Sequence, residues 1–175
     1  MDDLLELYER TSNWTADKVK GAATKLDSST PCDKWDARTL LNHVLDTQRY
    51  FATTARGEKA TLSPDPPDLL GDDPVADFEQ ARKETMTVFG EPGVIEKTGP
   101  SLGIAFSDLL LHGWDLAKAT GQDTTMPKGL PEAAYEMIHG KFTDEQRKGV
   151  FKPEIKVPDD ASPQDRLLAY TGRQP

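Results

Sequence analysis

Apolar residues recur along this chain every three to four positions rather than every two, which is the period of an amphipathic helix. Leu4, Leu5, Tyr8, Trp14, Val19 and Ala22 mark a first helix over roughly residues 2–24. The turn-rich stretch DSSTPCDKW ends it, and Asp36 reads as the N-cap of a second helix running to about Gly57. The inward stripe of that helix is Leu40, His43, Val44, Thr47, Phe51 and Thr54. Pro74 opens a third, mostly polar helix reaching about Val88, with Val75, Phe78, Met86 and Phe89 on one side. A fourth runs from Leu102 to Gly121, a residue suited to ending a helix. A fifth runs from Pro131, at the favoured first helical position, to about Arg147. TLSPDPPDLLGDDP and GEPGVIEKTGPSLG read as loops, with a short extended piece at Val94–Glu96. The proline-bearing tail carries one apolar run, Leu167–Tyr170, expected to dock on the helices. With no alternating strand pattern and no internal repeat, the prediction is an all-α four-helix bundle with long crossover loops.

Length and composition narrow the picture. At 175 residues the chain is read as one domain, 1–175, long enough to bury a core without staples. Its 36% hydrophobic and 29% charged residues fit a globular chain rather than a disordered one. A net charge of −9 and a pI of about 4.8 disfavour a phosphate backbone as partner, so no nucleic acid is expected. The single cysteine, Cys32, rules out an internal disulfide and suggests a reducing compartment. The opening MDDLLELYERTSNW lacks the pattern of a signal peptide, and no apolar run nears the roughly 20 residues of a membrane span. The expectation is a cytoplasmic protein with no membrane partner. Leu62–Pro74 is a candidate contact for a homodimer.

The chemistry concentrates on the fourth helix. Asp108, His112 and Asp115 fall at i, i+4 and i+7 within AFSDLLLHGWDLAKATG, so one face of an otherwise apolar helix carries all three. Positions four apart lie about 5–6 Å apart at Cβ, which lets Asp108 and His112 share one ion. His43, on the buried stripe of the second helix, is the candidate third ligand. Two imidazoles and one carboxylate leave coordination positions open, as at a catalytic metal site. Zinc is the first choice, and nickel or iron(II) accept the same ligands. Read singly, His43 is a hydrogen-bonded core histidine and the D-x-x-x-H pair an intrahelical contact. Three ionisable groups facing one core are costly unless paired or metal-bound, and that favours metal.

Asp115 reads as a partner for the imidazole N–H of a liganding histidine, or as a loop cap. His139, before Gly140, reads as a surface residue near a kink, with a metal role as the alternative. Cys32 reads as a packed small side chain rather than a nucleophile, and Trp114 as packing. Dinucleotide, P-loop, serine-hydrolase and H-E-x-x-H motifs are all absent.

The stretches TPCDKWDARTLLNHVLDTQRYF and FSDLLLHGWDLAKATGQ, with the ending VPDDASPQDRLLAYTGRQP, resemble the DinB/YfiT-like superfamily. Within it they are similar to the actinobacterial branch related to mycothiol-dependent maleylpyruvate isomerase, in its short single-domain form. The resemblance spans nearly the whole chain. It implies a helical bundle with a divalent metal at one end, held here by His43, Asp108 and His112. It also implies mycothiol, a low-molecular-weight thiol, as cosubstrate and a small electrophile as the molecule acted on, by thiol transfer or isomerisation. The isomerase itself has glutamate at the position of Asp108 and a second, sterol-carrier-like domain for which this chain has no room. A metal-dependent hydrolase and a non-catalytic small-molecule-binding bundle are the alternative readings.

Overall fold

The computed structural model describes residues 3–175, and among them the chain is all-α with no strand. The helices are α1 (Leu4–Ala22), α2 (Ala37–Ala55), α3 (Pro74–Phe89), α4 (Val94–Thr98), α5 (Ser101–Thr120), α6 (Leu130–Ile138), α7 (Asp144–Val150) and α8 (Pro163–Tyr170). Asp2, the expected start of the first helix, lies outside the described residues.

Local chemistry sets most boundaries. Asp36 Oδ1 accepts from the Thr39 amide at 2.8 Å and caps α2 as its sequence suggested. Asp73 caps α3 with Pro74 in the first turn, and Gly121 closes α5 with a left-handed φ of 72°. Two expectations need correcting. The fifth predicted helix is two, α6 and α7, because Gly140 takes φ 67° and Thr143 and Gln146 form a capping box that restarts the helix. Val94–Glu96 is helical rather than extended, since glycines at positive φ bracket it and the Thr98 hydroxyl donates to the Val94 carbonyl at 2.8 Å.

The four long helices share one core. α1 packs along α5 and α3, and α2 packs along α3 and α5. Tyr8, Val19, Leu40, Leu45, Phe78, Phe106, Leu110 and Leu116 are almost wholly buried between them. The α1–α5 seam is tight at Gly113, where a Cβ would stand 2.7 Å from Thr15 Oγ1 and 2.7 Å from the Trp14 ring. The expected docking of the tail is present: Leu167, Leu168, Ala169 and Tyr170 are buried, and α8 packs on α6. The proline-rich segment between α2 and α3 is exposed but tied down, because Asn42 Oδ1 accepts from the amides of Leu69 at 2.7 Å and Leu70 at 2.9 Å. No helix among the described residues is long and apolar enough to cross a membrane.

Candidate metal centre

α2 and α5 bring the three histidine and aspartate candidates together, with no other element supplying an imidazole. His43 stands on α2 and Asp108 and His112 one turn apart on α5. One ligand atom from each lies within 4.8 Å of the other two. His112 Nε2 is 3.4 Å and His43 Nε2 3.9 Å from Asp108 Oδ1. Ligand atoms each about 2.0–2.1 Å from a tetrahedral zinc lie about 3.3 Å from one another. The set is therefore somewhat wider than one tetrahedral ion needs. The Trp35 ring packs 4.8 Å from the His43 ring, which in turn meets the His112 ring edge-on at 4.8 Å.

The second nitrogen of His112 explains Asp115. His112 Nδ1 lies 3.0 Å from Asp115 Oδ2, and that carboxylate has no solvent exposure. Arg173, from the tail beyond α8, donates to it twice: Nε to Oδ1 at 2.9 Å and Nη2 to Oδ2 at 2.7 Å. A carboxylate held by that fork is ionised and only accepts, so Nδ1 carries the hydrogen and Nε2 is turned toward Asp108. Asp115 is thus the imidazole partner its spacing suggested.

Electrostatics make Asp108 and His112 an ion pair. Burial would raise the Asp108 carboxyl, but the charge of His112 beside it, with His43 nearby, holds it well below the usual carboxylate range. Burial would lower the His112 imidazole, but the charge of Asp108, with hydrogen bonds to Asp108, Asp115 and Cys32, lifts it well above its ordinary value. Burial likewise raises Asp115, and the Arg173 charge and the His112 contact overcome it. Without metal the Nε2 proton of His112 faces Asp108 Oδ1 at 3.4 Å, and a divalent ion between the same two atoms would take the place of that proton. The donor set fits a divalent ion.

A cleft of about 950 Å³ opens over this centre. Trp35, Phe51, Ile104, Phe142 and Phe151 give it apolar walls, and Leu62 and Val150, which are exposed large hydrophobics, stand at it. Trp114 is buried as expected, with Lys118 Nζ 5.3 Å above its ring, and it also borders the cleft.

Cys32 packs partly buried against the core, as its loop suggested, and also borders the cleft. A tight turn, in which the Thr30 hydroxyl accepts from the Cys32 amide at 3.1 Å and donates to the Trp35 carbonyl at 2.8 Å, presents it to the cleft. Its thiol donates to Asp115 Oδ2 at 3.4 Å. His139 is exposed and stacked on Tyr135 at 4.7 Å, apart from the metal candidates. Arg173 went unseen in the sequence: 58 positions separate it from Asp115, and neither periodicity nor motif spacing links them.

Two proteins of Mycobacterium tuberculosis, from strains CDC 1551 / Oshkosh and ATCC 25618 / H37Rv, are each 29% identical to this chain over 188 aligned residues. The alignments cover 99% of this chain and 98% of each relative. Both are named uncharacterized protein, so the likeness brings no activity with it. No family model matches the chain, and no solved structure matches it.

Proposed function

We propose that this chain is a divalent-metal-binding protein with a DinB-like four-helix bundle, acting as a thiol transferase or isomerase on small electrophiles. The thiol is of low molecular weight, mycothiol by the resemblance, and zinc is the preferred metal. The observation that carries the reading is the convergence of His43 Nε2, Asp108 Oδ1 and His112 Nε2 under an open, largely apolar cleft.

Each side chain has a definable task. His43, Asp108 and His112 would hold the ion on one side only, leaving the cleft side free for a ligand. The Asp108 carboxylate offsets part of the ion's charge, while Asp115 keeps the His112 ring turned so that Nε2 meets the ion. Trp35, Phe51 and Phe151 would receive the organic body of the electrophile and exclude water from the reacting end. A bound divalent ion supplies the positive charge that keeps a thiol deprotonated near neutral pH.

Isothermal titration of the metal-loaded protein with mycothiol, followed by assay against a panel of small electrophiles, tests the reading. Thiol binding that requires the metal, and conjugation or isomerisation lost in His43→Ala, support it. Turnover that proceeds without any thiol would move the reading to the hydrolase alternative. No thiol binding and no turnover would leave a binding protein.

A further inference from the structure

Arg173 is the one member of this cluster that touches neither the cation position nor a candidate ligand directly. We propose that Arg173 is a positioning residue, which fixes His112 for metal through Asp115 and so makes the site depend on the docked C-terminal tail. The inference rests on the metal-binding reading above.

The geometry has three parts. First, Asp115 carries four donors on two oxygens: Oδ1 accepts from Arg173 Nε at 2.9 Å, and Oδ2 from Arg173 Nη2 at 2.7 Å, His112 Nδ1 at 3.0 Å and the Cys32 thiol at 3.4 Å. Only the guanidinium spans both oxygens, so it sets the plane of the carboxylate, and that plane sets the ring of His112. Second, the backbone that carries the guanidinium is itself held. The Arg173 amide donates to the Leu168 carbonyl at 2.9 Å, and the Ile155 amide to the Ala169 carbonyl at 3.0 Å. Gly172, at φ 76°, passes so close to Lys152 that an added Cβ would stand 2.8 Å from its backbone. Third, the pair is buried, with side-chain exposures of 13% for Arg173 and 0% for Asp115. The intact fork is therefore largely shielded from water.

Outer partners of a metal-bound histidine commonly change metal affinity by about 10–100-fold when removed. Coupling between tail and metal is also reciprocal, so metal binding tightens the docking of the tail.

The test uses the full chain with Arg173→Ala and Arg173→Lys. Zinc affinity is measured by competition with a chromophoric chelator, and the metal-free proteins are examined by NMR for the His112 Nδ1 proton. The wild type is expected to show a His112 Nδ1 proton protected from exchange with water. R173A should lose that protection and bind zinc at least tenfold more weakly. R173K, which keeps the charge but not the fork, should fall between them while melting close to the wild type. If R173A does not fold, R173K decides, and a threefold weakening is the smallest that supports the inference. A purely structural Arg173 would lower the melting temperature while leaving zinc affinity within twofold and the Nδ1 proton protected, and that result overturns it. If the wild type binds no metal, the proposed function fails, and the Nδ1 proton alone still decides the role of Arg173.

Discussion

Replacing Asn42 with alanine should loosen the wall of the cleft without touching a candidate ligand. Asn42 is only 5% exposed, and its Oδ1 accepts from the amides of Leu69 and Leu70 at 2.7 and 2.9 Å. Its Nδ2 donates to Asp68 Oδ1 at 3.3 Å, so one α2 side chain fixes three points of the proline-rich segment. A net contribution of about 1 kcal/mol per hydrogen bond would make three bonds worth about 3 kcal/mol. The freed amides belong to half-buried residues that water can reach, which reduces the expected loss to about 2 kcal/mol. For a chain of this size that is roughly 4–8 °C in melting temperature. The segment carries Leu62, Ser63 and Pro64 of the cleft wall, so its cleavage by a nonspecific protease should accelerate under native conditions. Asn42→Asp tests the sign of the electrostatic contribution. Its carboxylate still accepts from both amides but faces Asp68, so the variant should be less stable than the wild type at pH 7. That deficit should shrink toward pH 4 as one of the facing carboxylates takes up a proton, whereas the N42A deficit should not change. Calorimetry and limited proteolysis check both variants. An N42A protein within about 0.5 kcal/mol of the wild type, with unchanged cleavage of the segment, would refute the reasoning.

Other consequences can be tested alongside. Gly113→Ala should gain about 1 kcal/mol from helix propensity but lose about 1–3 kcal/mol to the contacts with Trp14 and Thr15. A net drop of roughly 2–4 °C in melting temperature is therefore expected, and a stabilised variant would show that the seam has slack. The metal-free protein should lose stability in acid. Asp108 and Asp115 are held below their ordinary value of 3.8, so their contribution is complete above it and falls away as pH drops through their folded values. His112, raised in the fold, contributes fully below 6.5 and loses that contribution as pH rises through its folded value. Zinc should abolish the alkaline loss by replacing the proton, and zinc affinity should weaken as pH falls; melting curves with and without metal across pH check both signs. Adding zinc at 100 times its dissociation constant should stabilise the protein by about 2.7 kcal/mol, and a chelator should reverse the shift.

The helical architecture was legible because long amphipathic helices repeat the same signal many times and end in recognisable residues such as Asp36 and Gly121. The shorter pieces were less so. Nothing in GEPGVIEK marks five residues as helical until the glycines on either side take positive φ. The break between α6 and α7 depends on Gly140, and a glycine inside an apolar pattern reads equally as a tolerated helical residue. The candidate ligands on α5 were legible from the four-residue interval, and His43 from its place on a buried stripe. Their meeting is a tertiary event that the stripe alone only suggested. Asn42 and Arg173 escaped notice for a common reason. Each acts through a contact far along the chain, and a buried amide or a tail arginine has no local pattern to announce it.

The central claim is that His43, Asp108 and His112 hold one divalent ion. Elemental analysis of the purified full-length protein, after dialysis with zinc and removal of excess, tests it most directly when wild type and His112→Ala are measured side by side. The account predicts close to one equivalent of zinc in the wild type and less than a tenth of an equivalent in H112A, with both proteins folded by circular dichroism. Equal zinc content in the two proteins, or none in the wild type, would contradict it.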